Sequence, residues 1–579
     1  MRNQLLLMAF VMHILLFAKA QQSVDYTWRD PSTVLFPVIE GQAWPTETGN
    51  RIERFPYRIK KILKQDAGSF DTGAGGLSIS FISNSPEILV RYQLLPENAT
   101  AHAHMYGVDG VGLFGTSKDG EWFECPGTYS FADSVTYRFN IRDSLKAISL
   151  HQKGGVFKLY LPSGCRVQWL EVGSVAGAVF RYYPVRKEKP IVVFRTSLIQ
   201  PVPPGKNWYT LLERRLDRTV IDLPFPRSTT EKEVVNIMSE PDAAMYVLDC
   251  LPGLTGKLRI CQAVRSLRKV RSHVPILLID HAVSGTPGTY PETYKKEIAV
   301  DQLPREIISE LQKEGVDQLY YLNMDEAEPL PKGIIKAVSA TDSAMQFCAM
   351  TCEKKIRGIL NEPSGQITTT IPCTQYRDAN TYDWRDRHRE ILELQKTAKE
   401  PVTIFLGNSI THYWGGSSLQ RGKDSWNNDI VLFNPVNAGF GWDRIENVLW
   451  RVYHDELDGF EARQIVVLIG TNNLEYNTDK EIIEGLEQLM LAIRVRQSKA
   501  ALLLCGIIPR EGKEHRIQAL NKGIAQLAAS LRIDYADPGK FLAEEDGKII
   551  EQFFTGDGVH PNEAGYHRVS SELIRHLVR

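Results

Sequence analysis

A serine at the carboxyl end of a parallel strand can hold its hydroxyl out into a cleft, and Ser409 stands in such a place. The apolar run Val402–Leu406 leads straight into Gly407-Asn408-Ser409, and ligands of open α/β sheets collect beyond strand ends of this kind. A serine there can also simply cap the next helix, so its meaning depends on its companions. A second run, Ile465–Ile469, ends in Gly470-Thr471-Asn472-Asn473, where an amide side chain can donate to a developing oxyanion. Between them, Asn437-Ala-Gly439-Phe-Gly441-Trp442-Asp443 joins a strand to a helix, and its glycines let a backbone N–H face the same cleft. Close to the carboxyl terminus, Asp557-Gly-Val-His560-Pro561 precedes a final helix. A spacing of three lets Asp557 accept from one imidazole nitrogen of His560 while the other takes the Ser409 proton. Each piece has a plain alternative as a turn or cap, but all of them in this order point to acyl transfer through serine. An adjacent carboxylate favours charged imidazole, so the His560 pKa is expected above its usual value.

These blocks, in this order, resemble the SGNH (GDSL) hydrolase superfamily, and within it the platelet-activating-factor-acetylhydrolase-like branch. Gly439-Phe-Gly441-x-Asp443 followed by Val448-Leu-Trp450-Arg451, then Gly470-Thr-Asn-Asn473, carry the likeness over about 400–579. The resemblance implies Ser409 as nucleophile, His560 as base and Asp557 as its orienting partner. It also implies an oxyanion hole from the N–H groups of Ser409 and Gly441 and the amide of Asn472, with no metal and no cofactor. Two positions depart from the pattern. Asn408 stands where Asp is usual, and Trp442 stands where Gly often precedes the Asp, which makes Gly441 the expected donor. There is no G-x-S-x-G elbow, which argues against an α/β-hydrolase. No C-x-x-C and no H-E-x-x-H occurs either, so no zinc site is expected.

The elements that must position these residues fall into blocks. Residues 1–20 read as an export signal: Arg2, an apolar stretch from Leu5 to Phe17 too short to span a bilayer, and Ala18-Lys19-Ala20. No cysteine follows that stretch, so the mature chain is expected in the periplasm or outside the cell, without a lipid anchor. Residues 21–186 carry short alternating runs such as Leu77–Phe81, Ile88–Tyr92, Thr136–Phe139 and Phe157–Leu161, the pattern of an all-β sandwich. A G-x-G-x-x-G match at Gly110–Gly115 leads into the turn Thr116–Trp122 rather than a helix, so nucleotide binding is not expected there. Exposed aromatics in this block could stack on sugar rings, but Trp122 and Trp169 read as core residues. Residues 187–358 alternate strand-like runs with helical stretches, as do 384–579, and each implies a doubly wound parallel sheet of flavodoxin-like type. In the final block, Ile430–Phe433 reads as a strand. Residues 359–383, with Pro363, Gly365 and Pro372, read as a linker.

The middle block resembles a degraded copy of the last one. Ser197 follows the run Ile191–Phe194, but Arg195 replaces the turn glycine. Leu223–Arg227 lacks a glycine, Asp249–Gly253 lacks the Asn, and Met345 stands where the His would be. Lys plus Arg is 68 against 69 for Asp plus Glu, so nothing suggests a nucleic-acid partner. No later run spans a membrane, and no obligate protein partner is implied. Eight cysteines in 579 residues read mainly as buried small hydrophobes. The expected function is an exported serine esterase that removes ester groups, foremost O-acetyl, from a carbohydrate. A lipid or lysophospholipid esterase and a non-catalytic glycan binder are the alternatives.

Overall fold

The structure is a computed structural model. It describes residues 24–64, 73–95, 110–117, 119–131, 134–141, 154–163, 166–195, 202–224, 237–249, 257–280, 303–324, 342–362, 368–397, 402–415 and 419–578. The export signal expected at 1–20 lies outside these residues, as do Ser197, Cys165 and Cys250. Among the described residues, no helix is long and apolar enough to cross a membrane. Six cysteines are described, all free thiols and five of them buried.

The N-terminal region forms two antiparallel sheets. Strands Tyr26–Arg29, Val167–Val175, Glu87–Leu94, Val135–Asn140 and Gly127–Phe131 neighbour one another in that order. Phe180–Tyr182, Ser78–Ser83, Gly155–Tyr160, Gly112–Thr116 and Trp122–Glu124 make the second sheet, with Ile39–Glu40 on its Ser78–Ser83 strand. Period-two alternation sends Ile79, Phe81, Leu113 and Phe157 of one sheet and Ile88, Val90, Tyr92 and Leu170 of the other into one core. Gly112 and Gly115 of the G-x-G-x-x-G match lie in a strand, which turns at Ser117–Gly120 into Trp122–Glu124. Two features correct the sequence reading. The region is not all β: Pro45–Thr48 and Tyr57–Lys64 are helical, and Trp44, Phe55 and Ile59 pack into the core of the middle unit. Trp122 and Trp169 are half-buried and belong to no core cluster.

The middle and last regions each carry a five-stranded parallel sheet. In the middle one the order is Val220–Pro224, Ile191–Arg195, Met245–Asp249, Ile276–Asp280, Leu319–Asn323. In the last it is Pro435–Gly439, Val402–Gly407, Ala462–Leu468, Ala501–Cys505, Asp534–Ala536. Both therefore place the second strand beside the first and then run outward, the flavodoxin-like order. Their carboxyl edges differ. At the middle edge, Arg195 grips buried Asp222 through two bonds of 2.8 and 2.9 Å, and Arg54 of the N-terminal region reaches the same carboxylate at 3.7 Å. The arginine that replaces the turn glycine thus fills the crevice with an ion cluster, and Met345, in the place of a base, is buried in the core.

Two details of the last unit differ from expectation. Ile430–Phe433 is helical rather than extended, with Leu432 exposed, and the strand begins after Asn434, whose φ is 48°. The described part of the expected linker packs on the last unit: Thr369 donates to the Glu481 carbonyl, and the Cys373 N–H to that of Glu446.

The N-terminal and middle units are joined through buried charge. Lys158 lies 2.8 Å from both Glu40 and Glu213, and Tyr160 donates to Glu213 at 2.7 Å. Burial acts to raise the Glu40 carboxyl, but Lys158 overcomes it and holds the group down at about 2. Lys158→Met would leave two buried carboxylates without their cation, a loss of about 3–5 kcal/mol. In the variant the burial would raise the Glu40 carboxyl, so acid should relieve the strain. Thermal unfolding should therefore separate variant from wild type more at about pH 7.5 than at about pH 5.

Candidate active site

The order of the last sheet brings the sequence blocks together. Strand Val402–Gly407 lies between Pro435–Gly439 and Ala462–Leu468, so three carboxyl ends surround the point where strand order reverses. Ser409 opens helix Ser409–Gly415 at the first end, Gly441 and Trp442 follow the second, and Asn472 follows the third. Gly439 permits this closeness, since a Cβ on it would sit 2.2 Å from the His412 nitrogen. Asn408 accepts the Ile410 N–H at 2.9 Å, the turn role an Asp would also fill.

His560 and Asp557 come from the turn before helix Glu563–Leu573. Asp557 Oδ1 accepts the N–H groups of Val559 and His560 at 3.0 and 2.9 Å, and Oδ2 accepts His560 Nδ1–H at 2.9 Å. That fixes the tautomer, and His560 Nε2 accepts the Ser409 hydroxyl at 2.8 Å. Asp557, His560 and Ser409 thus stand in one continuous hydrogen-bonded line. Asn472 gives one amide hydrogen to the Asp443 carbonyl at 2.9 Å, which leaves its second. Its neighbour Asn473 is fully buried and ties the turn to helix Ile445–Tyr453. Gly441 departs from expectation. Its N–H is already given to His412 Nδ1 at 3.2 Å. The next N–H, that of Trp442, has no partner among the described residues, and Trp442 holds a left-handed φ of 62° with its side chain 51% exposed.

Family models match three stretches of the chain. One described as the N-terminus of Esterase_SGNH_hydro-type matches residues 26–180, and a GDSL-like Lipase/Acylhydrolase family matches both 188–357 and 405–568. The platelet-activating factor acetylhydrolase IB subunit alpha2 of Homo sapiens is 33% identical over 206 residues, 34% of this chain and 85% of the relative. Subunit alpha1 of Bos taurus is 27% identical over 201 residues, 34% of this chain and 83% of the relative. A crystal structure described as a GDSL-like lipase from Bacteroides ovatus aligns with a TM-score of 0.47 at 21% identity, over 58% of this chain and 98% of its own. The chain belongs to the SGNH hydrolase superfamily. It is an esterase/acylhydrolase with repeated hydrolase-type domains.

The electrostatics of this SGNH site correct one expectation. Burial lowers the His560 pKa more than the hydrogen bond and charge of Asp557 raise it, and Arg421 lowers it further. The imidazole therefore stays neutral below its usual range. Burial acts to raise the Asp557 carboxyl, but the two backbone N–H groups and His560 outweigh it and hold it well below the usual carboxylate range. Arg421 Nη1 lies 3.3 Å from Asp557 Oδ2.

Several residues near the relay carried no signal in the sequence. His412 is buried and pushed down to about 3 by desolvation and then by Arg387 and Arg451, so it remains neutral and able to accept. Tyr413 lies against the His560 ring, centroids 5.4 Å apart, and donates to Asp378 at 2.7 Å. Asp378 and Tyr382 come from the segment expected as a linker, and Tyr382 donates to the Gly441 carbonyl at 2.8 Å. The only cue was composition, since Tyr376–Trp384 is aromatic and charged rather than Gly- or Ser-rich.

Two outcomes follow for the kinetics. The acid limb of kcat/KM should have its midpoint below the ordinary imidazole value of about 6.5. Arg421→Ala should raise that midpoint, while Asp557→Asn should lower it and slow turnover. His412→Phe would leave a buried N–H on Gly441 without an acceptor, at a cost of about 1–3 kcal/mol. It should lower kcat with KM nearly unchanged, and His412→Gln, which keeps an acceptor, should restore much of the loss.

Proposed function

We propose that the last unit, residues 384–579, is a serine esterase that removes acyl groups, foremost acetyl, from a carbohydrate. The observation that carries this reading is the relay Asp557–His560–Ser409 at 2.9 and 2.8 Å, seated where strand order reverses. In the reaction, Ser409 Oγ attacks the ester carbonyl as His560 Nε2 takes its proton. Asp557 keeps the imidazole in one tautomer and steadies the imidazolium that forms. The oxyanion receives N–H groups from Ser409 and from the Gly441–Trp442 turn, with Trp442 as the donor left free, and the amide of Asn472. His560 then returns the proton to the leaving hydroxyl, and water repeats the sequence on the acyl-serine.

We read residues 1–20 as an export signal, 21–186 as a two-sheet sandwich and 187–358 as an inactive hydrolase copy. The ion cluster of Arg195, Asp222 and Arg54 supports the last of these. Export and an appended sheet unit fit a polymeric substrate met outside the cytoplasm. A second reading keeps the chemistry and changes the substrate to a lipid ester, favoured by the acetylhydrolase relatives and their named substrate.

Acetate and methanol release from a panel of esterified polysaccharides, set beside a 2-acetyl ether phospholipid and long-chain esters, separates these. Acetate from the glycans is expected, with kcat/KM reduced by about 10⁴-fold or more in Ser409→Ala. Asn472→Ala should cost about 10²–10³-fold, and Ser197→Ala should change little. Preference for the phospholipid would favour the second reading, and full activity in Ser409→Ala would refute the mechanism.

A further inference from the structure

A cleft of about 610 Å³ opens between the N-terminal sheets and the middle unit, away from the relay. We propose that it binds a neutral oligosaccharide stretch of the polymer whose ester reaches Ser409; this rests on the glycan reading above. Its size lies in the range of small-molecule sites, which favour domain boundaries, and gives room for a short oligosaccharide.

The lining selects the ligand class. Trp122 contributes a half-buried aromatic surface from one wall, and Leu211 and Ile371 add apolar patches from the others. Aromatic and aliphatic faces of this kind suit the C–H face of a sugar ring. Between them stand planar polar groups. Gln346 is exposed on helix Asp342–Ile359. Arg214 lies flat on Phe114 at 3.9 Å, and its Nη1 is buried without a hydrogen-bond acceptor among the described residues. The charges cancel in pairs, Lys206 with Glu124 at 3.1 Å and Arg215 with Glu353 at 2.6 Å. Glu121 and Arg214 also line the cleft, so its six charged residues carry no formal net charge. A cleft without net charge does not select phosphates or polyanions, and its mixture of donors and acceptors suits hydroxyl groups.

The cleft is tied to the reactive turn through one strap. Ile371 lines it, and three residues on, the Thr374 carbonyl lies against Gly120 of the hairpin turn. In that turn, Asp119 pairs with Arg377 at 3.1 Å and with Arg444 at 3.4 Å. Arg377 in turn donates to the Trp442 carbonyl at 3.0 Å. A chain lying in the cleft is therefore held by the same segment that carries Asp378 and Tyr382 to Ser409.

The test compares polymer with small ester in the full-length protein. Trp122→Ala and Gln346→Ala should each raise KM on acetylated xylan or mannan by about tenfold, the size of one lost anchoring contact. Their rates on p-nitrophenyl acetate should match wild type. Unchanged KM on the polymers in both variants, or equal loss on both kinds of substrate, would overturn the proposal. A binding arm stands apart from turnover. Calorimetry of Ser409→Ala with xylohexaose, mannohexaose and cellohexaose should show binding of at least one, weakened by Trp122→Ala. No binding of any of the three, or binding of oligogalacturonate alone, would overturn the neutral-glycan site even if wild type deacetylates glycans. Binding that persists while wild type hydrolyses only lipid esters would instead refute the substrate reading and keep the site.

Discussion

One buried cation holds the reactive turn in place. The Arg451 side chain is wholly excluded from solvent, on the helix that follows the second block. Its Nε donates to Asp443 at 2.9 Å, and its Nη1 donates to Glu456 at 2.6 Å and to the Ala438 carbonyl at 3.2 Å. Its guanidinium lies 3.9 Å over the Phe440 ring. Asp443 is held from its other side by Trp384 Nε1 and Gln375 Nε2. Between Ala438 and Asp443 lie the residues that must face Ser409. Asp443 then passes the constraint on, because its carbonyl receives the Asn472 amide. Burying such charges costs several kcal/mol per ion unless each is paired and hydrogen-bonded. Here Nε and Nη1 are answered while the buried Nη2 has no hydrogen-bond partner among the described residues, so a small displacement of the turn would leave still more charge uncompensated. What the pair supplies is position rather than net stability, and position within a fraction of an ångström is what an oxyanion site requires.

Much of the relay was legible because its cues are local. A strand, a turn glycine and a serine occupy adjacent positions, and Asp557 and His560 are three residues apart. The doubly wound pattern then fixes which ends of the strands lie together without any knowledge of side-chain contacts. Gly441 shows the limit of that reasoning. Glycine marked the turn, but which N–H is left free depends on His412, 29 residues away in sequence. The His560 pKa fails for a related reason. The neighbouring carboxylate is visible in the spacing, while the burial that outweighs it is made by Tyr413 and the segments around it.

The fold was legible in the same uneven way. Period-two and period-3.6 patterns marked both parallel sheets and the N-terminal strands, since burial of one face writes itself into successive residues. Ile430–Phe433 was misread because four apolar residues in a row suit a strand. Two of them, Val431 and Leu432, are instead exposed on a helical turn, and Asn434 in the left-handed region resets the chain before the strand. The helix Tyr57–Lys64 sits inside a β-rich stretch, yet its Ile59 belongs to the core of the middle unit. Composition suggested a linker at 359–383, and the residues described there form a short 3-10 turn at Thr368–Thr370 and packed loop. The partners that give it shape, Glu446, Glu481 and Gly441, are remote in sequence and leave no mark on local pattern.

The two parallel sheets share one strand order, and the difference between them rests on what stands at the carboxyl edge. In the last unit, Gly407 lets helix Ser409–Gly415 start against the neighbouring strand, since a Cβ there would lie 2.6 Å from the Leu468 carbonyl. The crevice stays open and lined by donors. In the middle unit a long cation, Arg195, occupies the corresponding strand end and needs an anion, which Asp222 supplies from the next strand. Arg54 of the N-terminal region joins the same carboxylate, so closing this edge also fastens one unit to another. The Lys158 cluster does the same a short way along. The edge thus serves as a joint, and the joint is what sets the sheets against the helices that wall the inter-unit cleft.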